Sequence, residues 1–418
     1  KQAAMLLAVS LGLNQLQGWA TMLFALPFIL FSAPGGWCAD KFSKKKVIVA
    51  SKVVEVAAMI VGGAGLLFVS WPCILAMVFL MGLQSTFFSP ALNGAIPEIF
   101  PVEKVPKVNA ILKLVTTLAI LAGIAFAGIS LDQKWMPLAR VRELLSSVPS
   151  FGVMLVAIVA VIVSGLGLFA SFAISPRPAA GGQKAFPWTG PFRSVSDIAE
   201  ICRDRHFLLA ILGDSWFYGL ASLVVLYINT LGLTQFGFSQ TKTSLLSVML
   251  MLGVCFGSFL AAKFVSMDRW ARYAGLSALG MGLGLMLASA GVFVGESVRF
   301  AWLAVMFSIT GAAGGMFIIP IATLLQVRPA ESEQGRVLGA SSFLTFCAIL
   351  GVGLLFSLVG DLGKPTFALA LLGGIAVVVA LYFSRLAAQL DSDENSATKP
   401  LAPFGARRFF AKIAQVIL

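Results

Sequence analysis

Eleven apolar runs, each near the roughly 20 residues that a helix needs to cross a bilayer core, set the limits on what this chain can fold into. They are Trp19 to Asp40, Val47 to Ser70, Ile74 to Ile96, Val108 to Ser130, Phe151 to Ile174, Phe207 to Leu231, Ser244 to Val265, Ala271 to Val294, Phe300 to Leu325, Arg336 to Val359 and Phe367 to Leu386. Gly, Pro and charge separate them. With 59% hydrophobic and 11% charged residues, a soluble globule of 418 residues would expose far more apolar surface than such proteins tolerate. The expected fold class is therefore an all-α polytopic membrane protein. Lys1 to Leu16 is a further apolar piece, too short to cross, and reads as the second half of a first helix that is incomplete in this chain.

The net charge of +12 is distributed as a membrane protein requires. Lys41, Lys44, Lys45, Lys46, Lys104, Lys107, Arg203, Arg205, Arg328 and Arg336 fall in loops on one side, whereas the opposite loops hold only Lys134, Arg140, Arg142, Lys242, Arg299 and Lys364. Basic loops stay in the cytoplasm, so both termini are expected there. The cations sit at helix ends rather than in a stripe with interleaved aromatics, which argues for anionic membrane lipids as partners and against nucleic acid. Cys38, Cys73, Cys202, Cys255 and Cys347 are scattered without ligand spacing, so neither a metal site, a cofactor nor a disulfide is expected. His206 is the only histidine and no serine lies in a nucleophile elbow, so the chain as given reads as no enzyme.

Two halves echo one another. Ala39-Asp40-Lys41-Phe42 recurs as Ala261-Ala262-Lys263-Phe264, Phe88-Ser89-Pro90 as Ile318-Ile319-Pro320, and Ala119-Ile120-Leu121 as Ala348-Ile349-Leu350, in order and at nearly one offset. The organisation expected is an N-terminal bundle over 1–176, a linker over 177–206, a C-terminal bundle over 207–388 and a tail or linker over 389–418. Within the linker, Ser194 or Ser196 can cap a short amphipathic helix with Val195, Ile198 and Cys202 on one face. Gly123, Gly128, Gly311, Gly314, Gly315, Gly351 and Gly353 let helices approach closely.

An ionisable group inside a span costs at least about 2.5 kcal/mol at the bilayer centre, so each needs a reason. Lys52 and Glu55 stand three residues apart on one helix face and can pair. Lys113 and Asp214 lie in the inner half of two other helices and are expected to face a central cavity.

The junction Gly36-Trp37-Cys38-Ala39-Asp40-Lys41-Phe42-Ser43-Lys44-Lys45 resembles the loop signature between the second and third helices of the major facilitator superfamily, with Ser43 where that family usually carries a second Gly. The resemblance implies two six-helix halves and assigns gating to Gly36, Asp40, Lys41, Lys44 and Lys45, with Asp40 latching the inner gate. At a finer level the chain resembles the bacterial lysophospholipid transporter family. The segments that carry it are Phe88 to Glu98, Asn109-Ala110-Ile111-Leu112, and Gly314 to Pro320 followed by Leu324-Leu325-Gln326. This implies inward flipping of lysophosphatidylethanolamine-type lipids for reacylation, with Lys113, Asp214, Asn109, Glu55 and Lys52 as candidate substrate contacts. Many relatives are fused to, or act beside, an acyltransferase and an acyl-carrier synthetase. Asp391 to Pro400 and the basic amphipathic Phe404 to Leu418 suit a linker to such a domain. The competing classes are a proton-coupled efflux pump for small amphiphiles and a non-transporting anchor of a lipid acyltransferase.

Overall fold

The computed structural model describes residues 1–101, 104–132, 151–175, 186–188, 190–201, 204–265, 270–329, 334–360 and 363–396. The described residues form helices α1 (Gln2–Ser10), α2 (Gln15–Lys41), α3 (Lys44–Leu67), α4 (Trp71–Ile99), α5 (Val105–Leu131), α6 (Phe151–Phe172) and α7 (Gly190–Ile201). They continue with α8 (Arg205–Thr230), α9 (Gln240–Phe264), α10 (Trp270–Ser289), α11 (Glu296–Val327), α12 (Gln334–Val359) and α13 (Pro365–Ser396). All except α1 and α7 are long and apolar enough to cross a membrane.

Local chemistry sets the breaks. Gly12, with φ of +74°, turns the chain between α1 and α2, a conformation that a side chain would strain. Asp204 caps α8 by accepting the His206 backbone N–H at 2.8 Å, and Ser239 caps α9 by accepting that of Lys242 at 3.3 Å. The linker helix departs from the sequence expectation. It begins at Gly190, so Ser194 and Ser196 lie inside it and neither caps it. Pro191 in its first turn explains the earlier start, because a proline there loses no helical hydrogen bond. At the other end α13 runs on to Ser396, carrying into a helix the first polar residues expected of a tail.

Two bundles result. In the first, α4 packs between α2 and α3, and α6 covers α3; in the second, α11 packs between α9 and α10, and α13 covers α10. Gly311 and Gly315 of α11 face the Leu250 and Val254 carbonyls of α9, while Gly253 and Gly257 of α9 face Ser308 and Ala312. A methyl group at any of these four would strike backbone, so backbone-to-backbone approach holds α9 against α11. Gly123 and Gly351, expected in the same role, have no neighbour within reach and serve no close contact in this conformation.

The bundles meet along α2 and α12, and along α5 and α9. Gly18 of α2 lies against Gly353 and Ser357 of α12, and Phe28 stacks on Phe346 with ring centroids 3.9 Å apart. Gly128 of α5 lies against Ser244 and Gln240 of α9. Both glycine contacts sit at the end of the molecule remote from the Lys41–Lys46 turn. Towards the lysine-bearing end the halves separate. Lys113, Leu114, Val115, Leu118 and Ile120 of α5 are exposed, whereas Ala127, Gly128, Ser130 and Leu131 are buried. No packing seam joins α4 or α5 to α11 among the described residues. The molecule is closed at the remote end and open at the basic end.

Candidate transport pathway and its gates

Of the ionisable groups expected to face the path, Asp214 is the best defined. It lies on α8 and is partly buried, and its Oδ2 accepts hydrogen bonds from Ser341 Oγ and Thr345 Oγ1 of α12, both at 2.9 Å. Ser341 and Thr345 stand four residues apart and so share one face of α12. No cation pairs with Asp214 among the described residues. Two neutral donors offset part of the cost of a carboxylate at this depth and leave its other oxygen without a hydrogen bond from a described residue. The sequence reading missed both hydroxyls. The signal available was a Ser and a Thr at helical spacing opposite an intramembrane acid.

Lys113 of α5 is exposed and makes no ion pair with a described residue, and Asn109, one turn earlier, is exposed as well. Neither contacts Asp214. Lys52 and Glu55 pair with one another at 2.7 Å. The Lys52 ammonium also sits 4.8 Å from the Phe88 ring of α4, and its stem runs past Gly167 of α6. This pair thus lies where α3 meets α4 and α6, apart from Asp214.

At the basic end the lysines have separate partners. Lys44 pairs with Glu98 at the end of α4, and Gly94 leaves room for its stem. Lys45 donates to the Phe172 carbonyl at the C-terminus of α6 at 2.7 Å, where a cation complements the helix dipole. Lys41 covers the Trp37 ring at 4.4 Å. Asp40 is exposed and makes no hydrogen bond or ion pair with a described residue, and Gly36 faces open space. An exposed aspartate without a described partner and a glycine without a neighbour agree with the gap between the halves at this end. The linker helix spans the two bundles here: Gly190 touches Ala33 of α2, while Asp197 and Glu200 both pair with Arg336 of α12. A cleft of about 380 Å³ between α2, α3 and α4, lined by Phe42, Val47 and Phe87, is a separate hollow that includes neither Asp214 nor Lys113.

The remote end is sealed by polar groups that the sequence reading did not single out. Gln2 Nε2 donates to Asn229 Oδ1 at 2.9 Å, Asn229 Nδ2 donates to Gln17 Oε1 at 2.9 Å, and Gln17 Nε2 donates to Thr230 Oγ1 at 3.2 Å. Gln17 and Asn229 are both 0% exposed. This chain of bonds joins α1 and α2 to α8, and Ser357 adds a bond from α12 to the Gln15 carbonyl at 3.2 Å.

Residues 3–353 match the family model described as Major Facilitator Superfamily. Curated relatives include the lysophospholipid transporter LplT of Klebsiella pneumoniae, 27% identical over 86% of this chain and 84% of that protein. LplT of Pectobacterium carotovorum is 27% identical over 84% of this chain and 80% of its own length. Among solved structures, a POT family transporter in complex with 5-aminolevulinic acid superposes with a TM-score of 0.69 at 15% identity, over 93% of each chain. The xylose transporter XylE from E. coli superposes with a TM-score of 0.62 at 14% identity, over 92% of this chain and 96% of that one. With eleven helices long and apolar enough to cross a membrane among the described residues and a family match over most of its length, the chain belongs to the Major Facilitator Superfamily of multi-pass membrane transporters.

Proposed function

We propose that this protein moves lysophospholipids, chiefly lysophosphatidylethanolamine, across a bacterial inner membrane by alternating access, delivering them to the cytoplasmic leaflet for reacylation by an acyltransferase. The observation that carries the reading is the arrangement of Asp214. It is an intramembrane carboxylate held by two hydroxyls and, among the described residues, by no cation, in a molecule open at its basic end. Such a carboxylate suits a substrate that brings its own positive charge, as the ethanolamine ammonium does. Lys113, with no ion pair among the described residues, suits the phosphate, and the exposed apolar surface of α5 suits the single acyl chain. The lysine-bearing end is then the cytoplasmic side, with the basic loops held inside. The LplT relatives support the substrate class.

In this cycle the basic end closes by bringing α4 and α5 towards α11. Gly36 and Asp40 then gain the neighbours they lack in this conformation, and the remote end parts. The reading is tested by equilibrium binding of radiolabelled lysophosphatidylethanolamine to the purified protein in nanodiscs. Saturable binding displaced by unlabelled lysolipid and not by the diacyl lipid is expected, with Lys113→Ala weakening it and Lys113→Arg retaining more. Equal displacement by diacyl lipid, or binding unchanged in both variants, removes the assignment.

A further inference from the structure

The α9 face that seals the remote seam is polar where an apolar face would seal it at lower cost. Gln240, Ser244 and Ser247 follow one another at i, i+4 and i+7 and so line one side of the helix. The middle residue, Ser244, lies directly against Gly128 of α5, across the boundary between the bundles. Ser244 is 0% exposed and Ser247 1% exposed, yet neither hydroxyl has a hydrogen-bond partner among the described residues, and the Gln240 Oε1 atom is likewise buried and unpaired among them. Each stranded polar group has lost its water without gaining a partner, a cost that the closed seam carries. Alanine at both serines would close it without that cost. The same end holds the buried Gln17 and Asn229 amides, which are paired only to one another and to their neighbours.

We infer that this polar lining of α9 is an entry site for the substrate's head group, buried when the remote end is shut and filled when it opens. Hydroxyls and a carboxamide without net charge can donate to phosphate oxygens and can accept from an ammonium or a glycerol hydroxyl. The ligand class is therefore a polar phosphodiester head on a single-chain lipid, recognised by hydrogen bonds rather than by an ion pair. The selective charges, Asp214 and Lys113, would be met later. This inference rests on the proposed lysophospholipid reading and adds where the head group first binds.

The test separates a binding role from a structural one. In Ser244→Ala/Ser247→Ala, thermal stability in detergent should be unchanged or higher, because two unpaired buried hydroxyls are removed. The KM for lysophosphatidylethanolamine uptake into proteoliposomes should rise roughly thirtyfold for two lost hydrogen bonds. A stability loss with KM unchanged would assign the serines to packing and overturn the inference. Access is read independently of transport. With the native cysteines replaced by alanine, Ser247→Cys should react with a membrane-impermeant thiol reagent applied from the side remote from the lysines. Lysophosphatidylethanolamine should slow that reaction. No labelling overturns the inference, and labelling that the lipid does not slow overturns the head-group assignment whether or not the parent protein transports.

Discussion

Asn229→Ala should convert a molecule closed at its remote end into one that opens there. Asn229 makes two of the bonds that join the bundles, accepting from Gln2 and donating to Gln17, and all its atoms are buried. Each such bond contributes about 1 kcal/mol net, and the stranded Gln17 carbonyl adds a further penalty of about 1 kcal/mol or more. That penalty applies only while the seam is shut, since the open seam hydrates the amide. The closed state therefore loses about 3 kcal/mol relative to the open one, a shift of roughly 150-fold in their ratio. Spin labels on Leu13→Cys and Phe293→Cys report it, because Leu13 is 41% and Phe293 90% exposed and they lie at the remote end in opposite bundles. Double electron–electron resonance should show one narrow distance in the parent and a second, longer one in the variant. An unchanged distribution in a folded variant would refute the latch and the energetics assigned to it.

Asp214→Asn should abolish most uptake at equal expression, and Ser341→Ala, which leaves Thr345 in place, should reduce it several-fold; uptake kinetics in proteoliposomes check both. Gly315→Val should prevent stable folding, because its side chain would strike the Val254 carbonyl of α9, at a cost of about 3 kcal/mol or more from overpacking. Thermal unfolding followed by size-exclusion chromatography measures that loss, and Gly351→Ala, which faces open space, serves as the control.

The fold was legible in the sequence because the bilayer makes each crossing declare itself: the runs expected from Trp19 to Leu386 correspond to α2 through α6 and α8 through α13. Boundaries were less legible. Whether a helix begins at Gly190 or at Ser194 depends on the first-turn Pro191 and on docking to α2, and hydropathy sees neither. Asp214 stood out as a charge in an apolar run, but its two hydroxyl partners lie on α12, far along the chain, where Ser and Thr pass unnoticed among apolar residues. Gln17 and Asn229 were missed for a related reason. They are uncharged, and only their pairing across the bundle boundary distinguishes them from isolated polar residues. The glycines divided the same way: Gly353 and Gly123 look alike in sequence, and only the neighbouring helix decides which one permits a close approach.

Transport of a single-chain phospholipid is measured directly as flux between leaflets. Purified protein is reconstituted into sealed liposomes with fluorescent lysophosphatidylethanolamine in the outer leaflet, and the fraction still extractable by albumin is followed with time. Extractable lysolipid should fall faster with the parent protein than with empty liposomes or with Asp214→Asn, while diacyl phosphatidylethanolamine should not move. Identical decay in parent and empty liposomes would contradict the proposed transport.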